Sequence, residues 1–270
     1  MHNYISKTDK IALVTGSGRG IGRGIAMVMA DHGADVVVAD MDIDAAAEVA
    51  TEIEDMGRES MSTKVDVTSQ KSIDEMTLAV INRFGRIDIL VNNAGIIAAP
   101  GWEERERPNE QDWDMLYDVN VKGVAKATEA VLPHMQKRQY GKIVNIASIA
   151  GRIGSPTSGP YSVSKAGVIN FTQTTALEQA KFNINVNAVC PGLLWTPMWR
   201  RISVNFGESR QEDKGMEPRE IFEKYVKNII PLGREQTPED IGNAVTFLAS
   251  DAASSITGQA LNVSGGSHIN

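Results

Sequence analysis

Tyr161 and Lys165 stand four positions apart in SGPYSVSKAG, residues 158–167, between a glycine–proline turn and an apolar run. On a helix that spacing puts both side chains on one face, where a phenol and an ammonium can approach each other or a common ligand. Such a pair is suited to proton transfer, and it is equally one side of an ordinary surface helix. The spacing alone does not separate the two readings.

A second stretch is suited to holding phosphate. TGSGRGIG, residues 15–22, joins a β-rich run to a helical pattern. A helix N-terminus entered through a glycine turn offers free N–H groups and the positive end of a dipole, which suits a pyrophosphate. The G-x-G-x-x-G spacing is not met, because Ile21 takes the place of its last glycine; T-G-x-x-x-G-x-G is met, with Gly16, Gly20 and Gly22. Asp40 ends the next apolar run, 18 residues after Gly22. A carboxylate there accepts hydrogen bonds from the adenosine ribose and repels a 2′-phosphate, so NAD is expected rather than NADP. Arg19, inside the turn, would attract that phosphate, but the carboxylate acts at the sugar itself.

The elements that must position these residues alternate. KIALVTG (10–16) ends at glycine and is followed by a helical pattern to Gly33, then by ADVVVAD (34–40). A helix over 43–56, a strand over 62–67, a helix over 70–84 and a strand over 87–95 come next. A long helix over 112–138 precedes strands at 141–148, 183–192 and 258–266. Strands apolar on both faces and separated by helix-length segments call for a parallel sheet covered on each side. The expected fold is a doubly wound α/β sheet of about seven strands in a single domain over 1–270. Residues 193–236 exceed what a connecting helix needs, and with Trp195, Trp199 and Phe206 they suggest a flap over a site.

Composition narrows the function classes. A net charge of −7 argues against a phosphate-backbone footprint, so no nucleic acid partner is expected. The start lacks an apolar signal core and no run of about 18 apolar residues could span a membrane, which points to a cytoplasmic protein. Cys190 is the single cysteine and reads as a small buried hydrophobe. His2, His32, His134 and His268 show no ligand spacing, and no metal is expected.

Order along the chain separates the two readings of the Tyr–Lys pair. Asn120 lies in YDVNVKG inside the long helix, NNAG (92–95) ends the fourth strand, Ser148 ends the IVNIAS strand, and PGLLWT (191–196) follows the sixth. With the glycine turn, these motifs resemble the short-chain dehydrogenase/reductase family over about residues 8–268. The resemblance implies that Tyr161 is the general acid/base, Ser148 binds the substrate oxygen, and Lys165 binds the nicotinamide ribose and lowers the tyrosine pKa. It further implies that Asn120 holds a water linking Lys165 to solvent. Asp66 and Val67 would contact the adenine, Asn93, Ala94 and Gly95 would line the cofactor, and Pro191, Gly192 and Thr196 would meet its nicotinamide end. An ammonium about 4 Å from a phenol is worth up to ~4 kcal/mol at an effective dielectric of 20, before desolvation is subtracted. That is at most ~3 pH units off the usual ~10.

The expected reaction passes a hydride between nicotinamide and a secondary alcohol or ketone. PGLLWTPMW with the long segment after it resembles members acting on small diols, hydroxyketones and polyols. A 3-oxoacyl thioester reductase and a hydroxysteroid dehydrogenase remain open, as does a catalytically silent dinucleotide sensor on the same fold. Trp102, Trp195, Trp199, Arg152, Arg200 and Arg201 are candidate substrate contacts. The run EERER (103–107) reads as a solvated face. The chain end resembles the family's oligomer-forming edge, which implies a homotetramer.

Overall fold

The structure is a computed structural model, which describes residues 5–155 and 158–269. His2, with the first four residues, lies outside the described residues, as do Pro156, Thr157 and Asn270. Seven parallel strands form one sheet in the order β3-β2-β1-β4-β5-β6-β7. They are β1 (Ile11–Thr15), β2 (Asp35–Asp40), β3 (Ser60–Lys64), β4 (Ile89–Asn92), β5 (Gly141–Ile146), β6 (Ile184–Pro191) and β7 (Ala260–Val263). The order reverses between β1 and β4, and in open parallel sheets ligands bind at the carboxyl ends of the strands beside such a switch point.

Alternation along each strand divides the core into two layers. Ala12, Val14, Val36 and Val38 pack on one face, against Ile25 and Met29 of α1 (Gly20–Asp31), Val49 and Ile53 of α2 (Ile43–Asp55) and Ile241 and Val245 of α9 (Pro238–Leu248). Leu13, Val37 and Leu90 point the other way, to Ile73 and Met76 of α3 (Gln70–Phe84) and Val131 and Met135 of α5 (Gly123–Arg138). α6 (Gly159–Gln179) completes that layer with Val168 and Ile169 beside Cys190, which is fully buried.

Two elements differ from the sequence expectation in ways that matter for the site. β3 ends at Lys64, so Asp66 and Val67 lie beyond the strand in a turn, where the Asp66 carboxylate accepts from the N–H and hydroxyl of Thr68. The long helix begins earlier, as α4 (Glu110–Leu116), and runs into α5 through a π-helical turn at Tyr117–Lys122 that carries Asn120. The wider turn changes the phase of the helix at that residue, a deviation often found at functional sites.

The segment 193–236 is mostly helical. α7 (Pro197–Ser209) and α8 (Pro218–Ile229) pack on each other, and Leu194 bridges Gln236 at its base. Its core is aromatic: Trp199 lies 5.4 Å from Phe222 and 6.3 Å from Tyr225 between ring centroids, and Trp195 lies 5.2 Å from Phe222.

Candidate active site

The glycine turn and α1 form a cradle at the end of β1. Gly16 and Gly20 have φ of +63° and +58°, a region that disfavours any side chain. A Cβ on Gly22 would lie 2.1 Å from the Gly16 carbonyl oxygen, so the first turn of α1 can pack this closely only without one. A Cβ on Gly20 would meet nothing nearer than Pro197 at 3.8 Å, which means the turn faces open space. No side chain caps α1 and no acidic residue sits in its first turn, which leaves the N-terminus able to receive an anion. The Asp40 carboxylate accepts from the Gly18 N–H at 2.9 Å and so is fixed against the turn. Arg19 reaches outward to Asp42 at 2.6 Å. The residues present therefore fit a dinucleotide.

β4 is tied to that cradle. Asn93 donates its side-chain N–H groups to the carbonyls of Thr15 and Gly16, and the backbone N–H groups of Asn93 and Ala94 donate to the Thr15 hydroxyl. Beneath it runs a buried amide ladder: Asn92 donates to Asn145 at 2.8 Å and to Thr128, and Asn145 donates to Thr172. A buried network in which the donors are used locks β4 and β5 to α5 and α6. Sequence reasoning missed Thr15, Asn145 and Thr172; a polar side chain inside an otherwise apolar run was the available signal.

The acid–base residues come from three elements. Ser148 caps a 3-10 turn, its oxygen accepting from the Ala150 N–H at 3.1 Å. Tyr161 enters one turn into α6, behind the helix-starting Pro160. Lys165 follows on the same face, nearly buried, donating to the Ile146 carbonyl at 2.9 Å. Gly151 joins these pieces, because a Cβ there would lie 2.6 Å from the Lys165 backbone. Asn120, fully buried, exchanges two hydrogen bonds with the Ile96 backbone and donates to Ser164, the neighbour of Lys165. A Cβ on Gly95 would lie 3.1 Å from the Asn120 oxygen and 3.4 Å from Lys165 Nζ, so Gly95 sits between the two.

Electrostatics differ from the expectation for this pair. Lys165 Nζ is 5.8 Å from the centroid of the Tyr161 ring, and burial brings its ammonium down to about 8. Burial also pushes the Tyr161 phenol up from its ordinary value, while a hydrogen bond with Ser148 works in the opposite direction. For the phenol the cost of burial outweighs the Ser148 hydrogen bond. The tyrosine is thus raised, where the sequence reading expected the lysine to lower it.

The glycine cradle and the side chains of Ser148, Tyr161 and Lys165 open onto one cavity of about 1190 Å³. Gly16, Arg19, Gly20, Ile21, Gly22, Asp40, Asp66, Val67, Asn93, Ala94 and Gly95 line one part of it, and Ser148, Tyr161, Lys165, Pro191, Gly192 and Thr196 continue the wall. Asn120 lies behind that wall. Gln236, which the sequence did not single out, accepts from the Leu193 N–H and abuts Gly192, whose absent Cβ would fall 2.4 Å from its oxygen.

Ile149, Ile153, Met198, Trp199, Ile202 and Phe206 form an apolar stretch of the remaining wall, Trp102 joins it from the loop after β4, and the charged run Glu103–Arg107 with Arg210 also lines the cavity. Trp195 instead stays in the aromatic core of the flap. Arg152, Arg200 and Arg201 are also off the wall: Arg152 donates to the Ala260 carbonyl, Arg200 lies over Trp195, and Arg201 pairs with Glu103. The run 103–107 is not a simple solvated face, since Glu103 latches α7 and Arg105 reaches the buried Asp112 at 2.8 Å.

Residues 16–268 match the family described as Enoyl-(Acyl carrier protein) reductase. The chain is 37% identical to 3-oxoacyl-(acyl-carrier-protein) reductase FabG of Thermotoga maritima over 95% of this chain and 97% of that one. It is also 37% identical to a hydroxy(phenyl)methylsuccinyl-CoA dehydrogenase subunit, BbsD, of Thauera aromatica, over 96% of each. Among solved structures, an NAD+-bound xylitol dehydrogenase superposes with a TM-score of 0.88 at 32% identity, covering 96% of this chain and 99% of that one.

Proposed function

The chain belongs to the short-chain dehydrogenase/reductase family, an oxidoreductase family using NAD(P)(H), and from there we propose that it is an NAD-dependent enzyme interconverting a secondary alcohol and a ketone, with Tyr161 moving the proton. The observation that carries this reading is the meeting of Ser148, Tyr161 and Lys165 with the glycine cradle on one cavity.

The cradle and α1 would hold the pyrophosphate, Asp40 the adenosine ribose, Asp66 and Val67 the adenine, Lys165 the nicotinamide ribose, and Asn93, Ala94, Gly95, Pro191, Gly192 and Thr196 the nicotinamide half. When bound, the nicotinamide supplies the hydride acceptor or donor. Ser148 donates its hydroxyl proton to the substrate oxygen while its own oxygen is oriented by the Ala150 N–H. Tyr161 gives its phenolic proton to a ketone oxygen or takes one from an alcohol. Burial raises the phenol from its ordinary value, which favours its protonated, acid form. Asn120 ties the Ile96 backbone to Ser164, the residue before Lys165, and so braces the loop after β4 against α6.

NAD rather than NADP is supported by the Asp40 carboxylate on the turn and by Arg19, whose charge is engaged by Asp42. The apolar stretch of Met198, Trp199 and Ile202 along α7 supports a substrate with a hydrocarbon body rather than the small diol or polyol suggested by the sequence. The likeness to a xylitol dehydrogenase supports the polyol as a second reading. A cytoplasmic homotetramer is the accompanying proposal, the exposed Leu261 on the β7 edge offering apolar surface for a copy.

An absorbance screen at 340 nm against long-chain ketones and hydroxy acids, polyols, hydroxysteroids and acyl thioesters, with each cofactor, tests the reading. The Tyr161→Phe variant should lose about 100-fold or more of the turnover found while still binding NADH. A variant that keeps about a tenth of the activity refutes the role of Tyr161. Silence of the wild type across the panel, with NADH bound, replaces the enzyme by a cofactor-sensing protein.

A further inference from the structure

Arg210 lines the same cavity as Tyr161 and takes no part in the reaction described above. It follows the last residue of α7, and its guanidinium lies over the Phe206 ring, 3.5 Å from the centroid, while donating to the Tyr225 hydroxyl. Phe206 and Tyr225 line the cavity as well. Stacking on one side and a hydrogen bond on another hold the planar fork in place, so little further ordering is needed when it meets an anion.

Its charge is also uncompensated. Among the described ion pairs of the flap, Arg201 is matched by Glu103, Arg219 by Glu223 and Glu235, Lys224 by Asp213 and Arg234 by Asp240, whereas none involves Arg210. The negative end of the α7 dipole opposes an anion here, which leaves the guanidinium as the attracting group. Phe206 is ten residues past Thr196 on that helix, so roughly 15 Å separate the seat of the guanidinium from the Thr196 end. Met198, Trp199 and Ile202 make most of the wall between them apolar, with Asn205 and Ser209 nearer the Arg210 end.

Resting on the dehydrogenase reading, we propose that Arg210 anchors a carboxylate or phosphate at the far end of a substrate whose apolar body runs along α7 and whose carbonyl reaches Tyr161. The substrate class is then a long anionic ketone or alcohol, and Arg210 sets specificity for it.

Calorimetric titration of the NADH complex with octanoate, octyl phosphate and octanamide tests this without turnover. The wild type should bind at least one anion on the order of ten-fold more tightly than the amide, and which of the two it prefers separates carboxylate from phosphate. Arg210→Gln should erase that preference and Arg210→Lys should keep part of it. Arg107→Gln, which changes an exposed arginine on the same wall, should leave it intact. Equal binding of all three ligands by the wild type, or an anion preference that survives Arg210→Gln, overturns the proposal. Should Arg210→Gln fail to fold, Tyr225→Phe, which releases the guanidinium, must weaken the preference several-fold or the proposal falls. Because no catalysis is read, a silent activity screen beside a clear anion preference would remove the dehydrogenase reading and leave the anchor, and the converse result would remove the anchor alone.

Discussion

Replacing Lys165 by methionine should strengthen the fold while ending catalysis. The lysine is 6% exposed, and burial brings it from 10.5 to about 8. The unfolded chain therefore holds this proton more tightly than the folded one, and the gap between about 8 and 10.5 costs about 3 kcal/mol at pH 6.5. Methionine is similar in length and removes that cost, but it leaves the Ile146 carbonyl without its donor, at about 1 kcal/mol. The net gain is about 2 kcal/mol at pH 6.5. Its dependence on pH follows from linkage: the folded pKa lies below the unfolded one, so wild-type stability rises as pH passes from about 8 towards 10.5. By pH 9.5 the cost in the wild type has fallen to about 1 kcal/mol, and the lead of the variant should be close to zero. Lys7, likewise held near 8 by burial, is common to both proteins and cancels in the comparison. Urea denaturation of both proteins at pH 6.5 and 9.5, followed by circular dichroism, measures the effect. A variant less stable than the wild type at pH 6.5, or a lead that does not shrink with pH, would refute the argument that desolvation governs this lysine.

Two further perturbations address the cradle. Gly22→Ala sets a methyl group against the Gly16 carbonyl, with 2.1 Å available, and backbone cannot step aside cheaply. A loss of about 1–3 kcal/mol of stability is expected, with NADH affinity down by at least ten-fold in fluorescence titration; an unchanged affinity would mean that the turn does not bind the cofactor. Asp40→Ser removes a carboxylate that would repel a 2′-phosphate by about 1 kcal/mol or more, so the ratio of kcat/KM for NAD over NADP should fall on the order of ten-fold. A ratio that stays constant would move cofactor selection elsewhere, with Arg19 the next residue to change.

Much of the candidate site was legible because each of its pieces is local. Gly16, Gly20 and Gly22 mark a turn by their type, Asp40 marks a strand end, and Tyr161 and Lys165 share a helix face at any four-residue spacing. Strand alternation placed the ends of β1, β4 and β5 together before any contact was known, since parallel strands joined by right-handed crossovers all finish on one edge. Less legible were residues whose role is to fit another segment. Gly151 shows its purpose only against the Lys165 backbone, and Gln236 only against Gly192, more than forty residues away.

The flap shows the same limit from the other side. Trp195, Trp199, Arg200 and Arg201 were visible as candidates, yet only packing decided which face the cavity: Trp199 does, Trp195, Arg200 and Arg201 do not, and Arg210, which the sequence did not single out, turns in. Charge behaved likewise. The sequence could set Tyr161 beside Lys165 and estimate their attraction, but the cost of taking both out of water depends on everything packed around them, and it reversed the expected shift. Backbone type, periodicity and spacing were determined by the sequence alone, because they are properties of short stretches. Exposure, partners and pKa were decided by the tertiary structure, because each sums over atoms brought together from distant parts of the chain.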